Sequence, residues 1–109
     1  MKSFHYILLL LIIIFTKSSI AQKVYITSNK FTADKIVFYT KNKFEADMWV
    51  YISENKFEAN KEKCIWYFTA NKFEAYWKIF ITENKHEAEI IVYITKNQFT
   101  SGIKKKKYN

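Results

Sequence analysis

Six short segments of this chain align on a single asparagine: VYITSNKFTAD, VFYTKNKFEAD, VYISENKFEAN, WYFTANKFEAY, IFITENKHEAE and VYITKNQFTSG. The asparagines are Asn29, Asn42, Asn55, Asn71, Asn84 and Asn97, so the steps are 13, 13, 16, 13 and 13 residues. A short fixed period means one small supersecondary unit stacked or wound on copies of itself. It constrains architecture far more than activity.

Within each unit, the residues five and three before the asparagine are apolar: Val24 and Ile26, Val37 and Tyr39, Val50 and Ile52, Trp66 and Phe68, Ile79 and Ile81, Val92 and Ile94. A spacing of two places each pair on one face of a strand. The residue between them is always aromatic (Tyr25, Phe38, Tyr51, Tyr67, Phe80 and Tyr93). Such strands are apolar on both faces and expect cover on both sides. A hydroxyl residue closes each strand, and Asn-Lys-Phe-Glu-Ala then reads as a one-turn helix with its own cap. The expected capping boxes are Asn42 with Glu45, Asn55 with Glu58, Asn71 with Glu74 and Asn84 with Glu87. Asn29 and Asn97 meet Thr32 and Thr100 instead. Phe31, Phe44, Phe57, Phe73 and Phe99 are expected to tuck under the next strand, with His86 as a packing variant in that place. There is no proline, and the one glycine is Gly102, so chain reversal must use capped turns. The three extra residues around Lys61 to Lys63 predict a bulge or a looser connection.

The fold class that follows is mainly β with short one-turn helices (α+β), six tandem strand-plus-turn units wound into one domain over residues 22–103. Residues 1–21 read as a signal peptide: Lys2 and His5 begin it, Ile7 to Phe15 is unbroken apolar sequence, and Ser19-Ile20-Ala21 suits cleavage. Nine apolar residues span only ~13 Å as a helix, against a hydrocarbon core of ~30 Å. No retained transmembrane segment is expected, and the localisation expected is secreted or periplasmic. Residues 104–109 form a basic tail.

Of the 18 lysines, two belong to the leader and four to the tail, which leaves 12 against 10 acids on the body. That near-balance, with no arginine anywhere, argues against a nucleic-acid module. Histidine is limited to His5 and His86, and Cys64 has no partner cysteine, so neither a zinc set nor a disulfide framework can be assembled. Cys64 reads as a small apolar residue at the start of a strand. The carboxylates recur once per unit, which is how structural groups behave, and no glycine-flanked nucleophile or phosphate loop exists. No catalytic residue, metal site or cofactor is expected. One feature does point to a partner. Lys30, Lys43, Lys56, Lys72 and Lys85 follow the asparagines, and with Lys104, Lys105, Lys106 and Lys107 they could hold an anionic envelope surface or polysaccharide.

The units, above all Phe31-Thr32-Ala33-Asp34, Phe44-Glu45-Ala46-Asp47 and Phe57-Glu58-Ala59-Asn60, resemble the Septknot family of small uncharacterised proteins. The pattern departs at Tyr76, Glu89 and Gly102, so irregular later units are expected. The resemblance implies a compact domain tied as a seven-crossing knot, and brings no activity, cofactor or binding site. The functional expectation is an exported, non-enzymatic, structurally robust protein with a structural or interaction role, taken to be a monomer. The alternative is an envelope- or polyanion-binding module that uses the lysine edge and tail.

Overall fold

The computed structural model describes residues 20–105. Six parallel strands close a barrel: β1 (Lys23–Ile26), β2 (Lys35–Tyr39), β3 (Met48–Ile52), β4 (Ile65–Phe68), β5 (Trp77–Ile81) and β6 (Ile90–Thr95). A short β7 (Gly102–Ile103) adds antiparallel to β3. Around the barrel the order is β1-β5-β2-β6-β3-β4, with β4 pairing back onto β1. The chain therefore skips one place at every step except β3 to β4 and fills the gaps on a second pass.

The register explains how links of only eight residues suffice for parallel strands. Ile26 at the end of β1 and Lys35 at the start of β2 both pair with Ile79 of β5. The next strand thus begins at the level where the last one stopped, and no long return is needed. Each link instead runs across the outside of the strand it skips. The link over β5 donates from Thr27 N to Ile79 O (2.8 Å) and from Asp34 N to Lys78 O (2.7 Å). Equivalent pairs hold the links over β6 (Thr40, Asp47), β1 (Thr69, Tyr76) and β2 (Thr82, Glu89). This is the outer cover that the doubly apolar strands require, and it leaves all six outer aromatics half-buried.

Two places per step would return β4 to the slot β1 already holds. The longer segment breaks that cycle. Its link crosses the β4 position (Ser53 N to Trp66 O, 2.8 Å; Asn60 N to Ile65 O, 2.9 Å), then residues 61–64 turn back. The chain enters β4 beneath its own link. Cys64 supplies the reversal with φ of 54°, a conformation uncommon for non-glycine residues. It is also buried, so the expectation of a small side chain at the strand start holds.

Inside, Val24, Val37, Val50, Trp66, Ile79 and Val92 form a layer with zero exposure. Tyr39, Ile52, Phe68, Ile81 and Ile94 pack against it from the carboxyl side of the strands. On the other side Gln22, Met48, Cys64, Trp77 and Ile90 close the barrel around a cavity of about 300 Å³. Trp66 Nε1 donates to Gln22 Oε1 at 2.8 Å, which satisfies the one polar atom of the largest interior side chain.

Two expectations about the turns need correction. The turns are single 3-10 turns (Lys30–Thr32, Lys43–Glu45, Lys56–Glu58, Lys85–Glu87 and Gln98–Thr100), with a plain turn at residues 72–74. The asparagine Oδ1 accepts from the amide two residues on, not three. The glutamate does not reach back to the asparagine amide either, because the Thr or Ser hydroxyl two residues upstream has already taken it. The glutamate accepts from that same hydroxyl. The second correction concerns the phenylalanines. Phe31, Phe44, Phe57, Phe73 and Phe99 are not tucked in but lie between 83% and 89% exposed, and His86 is exposed with them. A 3-10 turn running over an already filled outer strand face leaves its middle residue pointing to solvent.

Candidate functional site

Each of the six barrel strands carries one turn outside it, so the turns form a ring. Numbered by sequence, their order around the barrel is fourth, first, fifth, second, sixth, third, which follows from the strand each one crosses. Lys30, Lys43, Lys56, Lys72 and Lys85 sit at the first position of their turns, next to an exposed phenylalanine or, for Lys85, the exposed His86. Nζ lies 5.7 Å from the ring centre at Lys30–Phe31, and 5.4 Å at both Lys43–Phe44 and Lys56–Phe57. At Lys72–Phe73 it is 5.3 Å. Such contacts contribute about 0.5–1 kcal/mol at exposed sites. They keep an ammonium and an apolar ring side by side in water.

Ring neighbours are joined by charge. Lys30 of the first turn meets Glu87 of the fifth at 3.6 Å, and Lys85 of the fifth meets Glu45 of the second at 3.2 Å. Lys23 beneath the fourth turn approaches Glu74 at 3.9 Å. The hydroxyls beneath the carboxylates matter more than the lysines. Hydrogen bonds from Thr40, Thr69 and Thr82 hold Glu45, Glu74 and Glu87 below their ordinary value of 4.5, and the lysines add to this. For Glu74 the added attraction comes from Lys23 and from Lys56 of the adjacent third turn. Glu58 accepts from Ser53 at 2.6 Å.

The residue ending each link grips the strand below. Asp34 Oδ2 accepts from Lys78 N at 2.9 Å, Asp47 Oδ2 from Ile91 N at 2.8 Å and Glu89 Oε1 from Ile36 N at 3.1 Å. With the link amides already described, each acid engages both backbone groups of one residue. The longer Glu89 keeps the grip, so the irregularity expected there is absent, whereas Tyr76 retains only the amide half.

Of the tail lysines, Lys104 lies 4.5 Å over Trp49 and Lys105 pairs with Asp47 at 3.6 Å. Lys106 and Lys107 lie outside the described residues, as does nearly all of the expected leader. The aromatic ring itself was missed from the sequence. Phenylalanine recurring at a fixed place looks like core, and only the crossing of links over occupied strands reveals otherwise.

The barrel-mouth cavity holds a thiol, Cys64. Burial pushes the Cys64 thiol there up to about 11, which leaves it protonated and unreactive near neutrality. Among the described residues, no cluster of three or more His, Cys, Asp or Glu is placed to hold a metal ion. No helix among them is long and apolar enough to cross a membrane.

A closed six-stranded parallel barrel filled by interleaved passes, with only 3-10 turns beside its strands, defines a mainly β class. The chain matches the Septknot family, described as a 7(1) septoil knot domain, over residues 17–104, and it belongs to that family. Comparison with curated proteins and with solved structures gives no match.

Proposed function

We propose that the chain is an exported, non-enzymatic interaction module in which the wound barrel is a robust scaffold and the ring of turns is the working surface. The observation that carries this reading is the set of five phenylalanines, each more than four-fifths exposed, four of them with a lysine over the ring. Scattered apolar residues on a surface need no explanation, but a recurring exposed aromatic set marks a contact surface. Lysine beside four of the five rings suits an anionic partner such as the cell-envelope surface, and the tail from Lys104 to Lys107 extends the same charge. The carboxylates support a structural role, since Glu45, Glu58, Glu74 and Glu87 are each held by a hydroxyl of their own unit.

The knot belongs to this proposal too. Interleaved strands and the family's septoil description both support a chain that closes through itself, with the six units acting as tandem repeats. Such a chain unfolds slowly, which resists inactivation and degradation outside the cell. The leader at residues 1–21 would deliver it there.

The test is co-sedimentation of the full chain with isolated cell envelopes at low and high salt, compared with a variant carrying Lys43→Gln, Lys56→Gln and Lys72→Gln. Salt-sensitive binding that falls in the variant supports the reading. Binding that ignores both salt and the three substitutions sinks it.

A further inference from the structure

Four turns hold an internal carboxylate in one arrangement, and the fourth is the fullest example. Glu74 accepts the Thr69 hydroxyl, Lys23 stands at 3.9 Å on the strand below, and the charge of Lys56 on the neighbouring turn adds its attraction. Counted from their asparagines, the same places around the first turn are filled by Thr27, Lys78 and Lys72. All three donors are present, but the position of the glutamate is taken by Thr32. Neither Lys72 nor Lys78 has an ion pair among the described residues; the nearby Asp34 carboxylate is bound to the Lys78 amide.

The first turn is also open in a way its counterpart is not. The sixth turn has threonine at the same place, but there Thr95 and Thr100 hydroxyls close on each other at 2.7 Å. Thr27 Oγ1 accepts from Asn29 N at 3.2 Å and Thr32 Oγ1 donates to Asn29 O at 3.1 Å, but the two hydroxyls stand 3.5 Å apart, so the Thr27 proton that elsewhere goes to a carboxylate has only a long, weak acceptor. Thr27, Thr32, Lys72 and Lys78 line a groove of about 320 Å³ together with Tyr25 and Phe73. That volume lies at the lower end of small-molecule sites.

We propose that this groove between the first and fourth turns binds the carboxylate of an acidic sugar, which takes the place the internal glutamate holds in the other turns. Lys72 and Lys78 neutralise the carboxylate and Thr27 donates to it. Tyr25 and Phe73 pack on the sugar ring, and Thr32 meets its hydroxyls. A carboxylate fits better than a bare phosphate, because the arrangement reproduced is one the chain itself builds around a carboxylate. The inference deepens the ring reading by assigning a ligand class to one of its grooves.

The experiment is a titration of the full chain with soluble oligogalacturonate, read from the NMR shifts of Thr27, Thr32, Lys72 and Lys78 amides. A neutral oligosaccharide of equal length and inorganic phosphate serve as the other arms. Thr32→Glu restores the internal carboxylate and should lower affinity about tenfold or more, the worth of a lost charge-assisted hydrogen bond. Lys72→Gln should weaken binding similarly, while Thr100→Glu on the far side should leave it unchanged. Undiminished binding by Thr32→Glu, equal binding of phosphate or of the neutral sugar, or no binding of oligogalacturonate overturns the proposal. If oligogalacturonate fails while envelopes still co-sediment in a lysine-dependent way, only this groove assignment falls.

Discussion

The inner layer of the barrel and the ring of turns outside it each have six positions, yet they obey different rules. Inside, all six positions are apolar and fully buried, and the one large departure, Trp66, comes with its own hydrogen-bond partner in Gln22. In the ring the backbone turn is kept by asparagine at every place, while glutamate becomes threonine twice, phenylalanine becomes histidine once and lysine becomes glutamine once. Packing punishes variation in the interior, whereas in the ring only the asparagine and the upstream hydroxyl are needed to make the turn. Departures from the repeat outside are therefore where a particular function can be written.

The sharpest test of that contrast is Trp66→Ala. It removes the largest interior side chain, opens a cavity and leaves Gln22 buried without its partner, so a loss of about 3–5 kcal/mol is expected in denaturant unfolding. A loss below 1 kcal/mol would mean the inner layer is not the main source of stability.

Between core and ring stand the gripping acids. Asp47 is only 4% exposed and accepts from Ile91 N while pairing with Lys105. Asp47→Ala should cost about 2–3 kcal/mol, because a buried amide loses a charged acceptor. The exposed equivalent, Asp34→Ala, should cost about 1 kcal/mol. Equal losses at the two sites would show that burial does not separate them.

Acid tests the ring. Glu45, Glu74 and Glu87 have folded values held below 4.5, chiefly by threonine hydroxyls. A depressed carboxyl binds fewer protons folded than unfolded near its ordinary value, so its contribution is full above that value and declines as pH falls through the folded one. Thermal stability should therefore drop as pH falls below about 4.5, and less steeply in a variant carrying Glu45→Gln, Glu74→Gln and Glu87→Gln. An identical slope in wild type and variant would remove these carboxylates from the account.

How much of this could be read from the chain follows the same division. The strands, their inward valines and isoleucines and the turn positions were legible, since alternation and the asparagine period are local. The barrel order was not. Nothing in a 13-residue step says that a link passes over a strand arriving much later in the chain, and the fate of the phenylalanines depends on that crossing. The glutamate partners were misassigned for a related reason: Thr40, Ser53, Thr69 and Thr82 already supply the asparagine amides, which frees each glutamate to sit on the hydroxyl. The lysine positions were found, but which of them meet a carboxylate of a neighbouring turn, as Lys30 and Lys85 do, needed the ring order.

The smallest effect on stability should come from the most conspicuous residues. Phe57 is 86% exposed and loses little on unfolding beyond its contact with Lys56. Phe57→Ala should therefore change stability by no more than about 0.5 kcal/mol. The same substitution, combined with Phe44→Ala and Phe73→Ala, should markedly reduce co-sedimentation with envelopes at low salt. A core role predicts the opposite pattern, with stability falling and binding unchanged. If the triple variant keeps both stability and binding, the exposed rings are surplus to the scaffold and to the surface alike, and the working surface must be sought in the lysines and the first-turn groove.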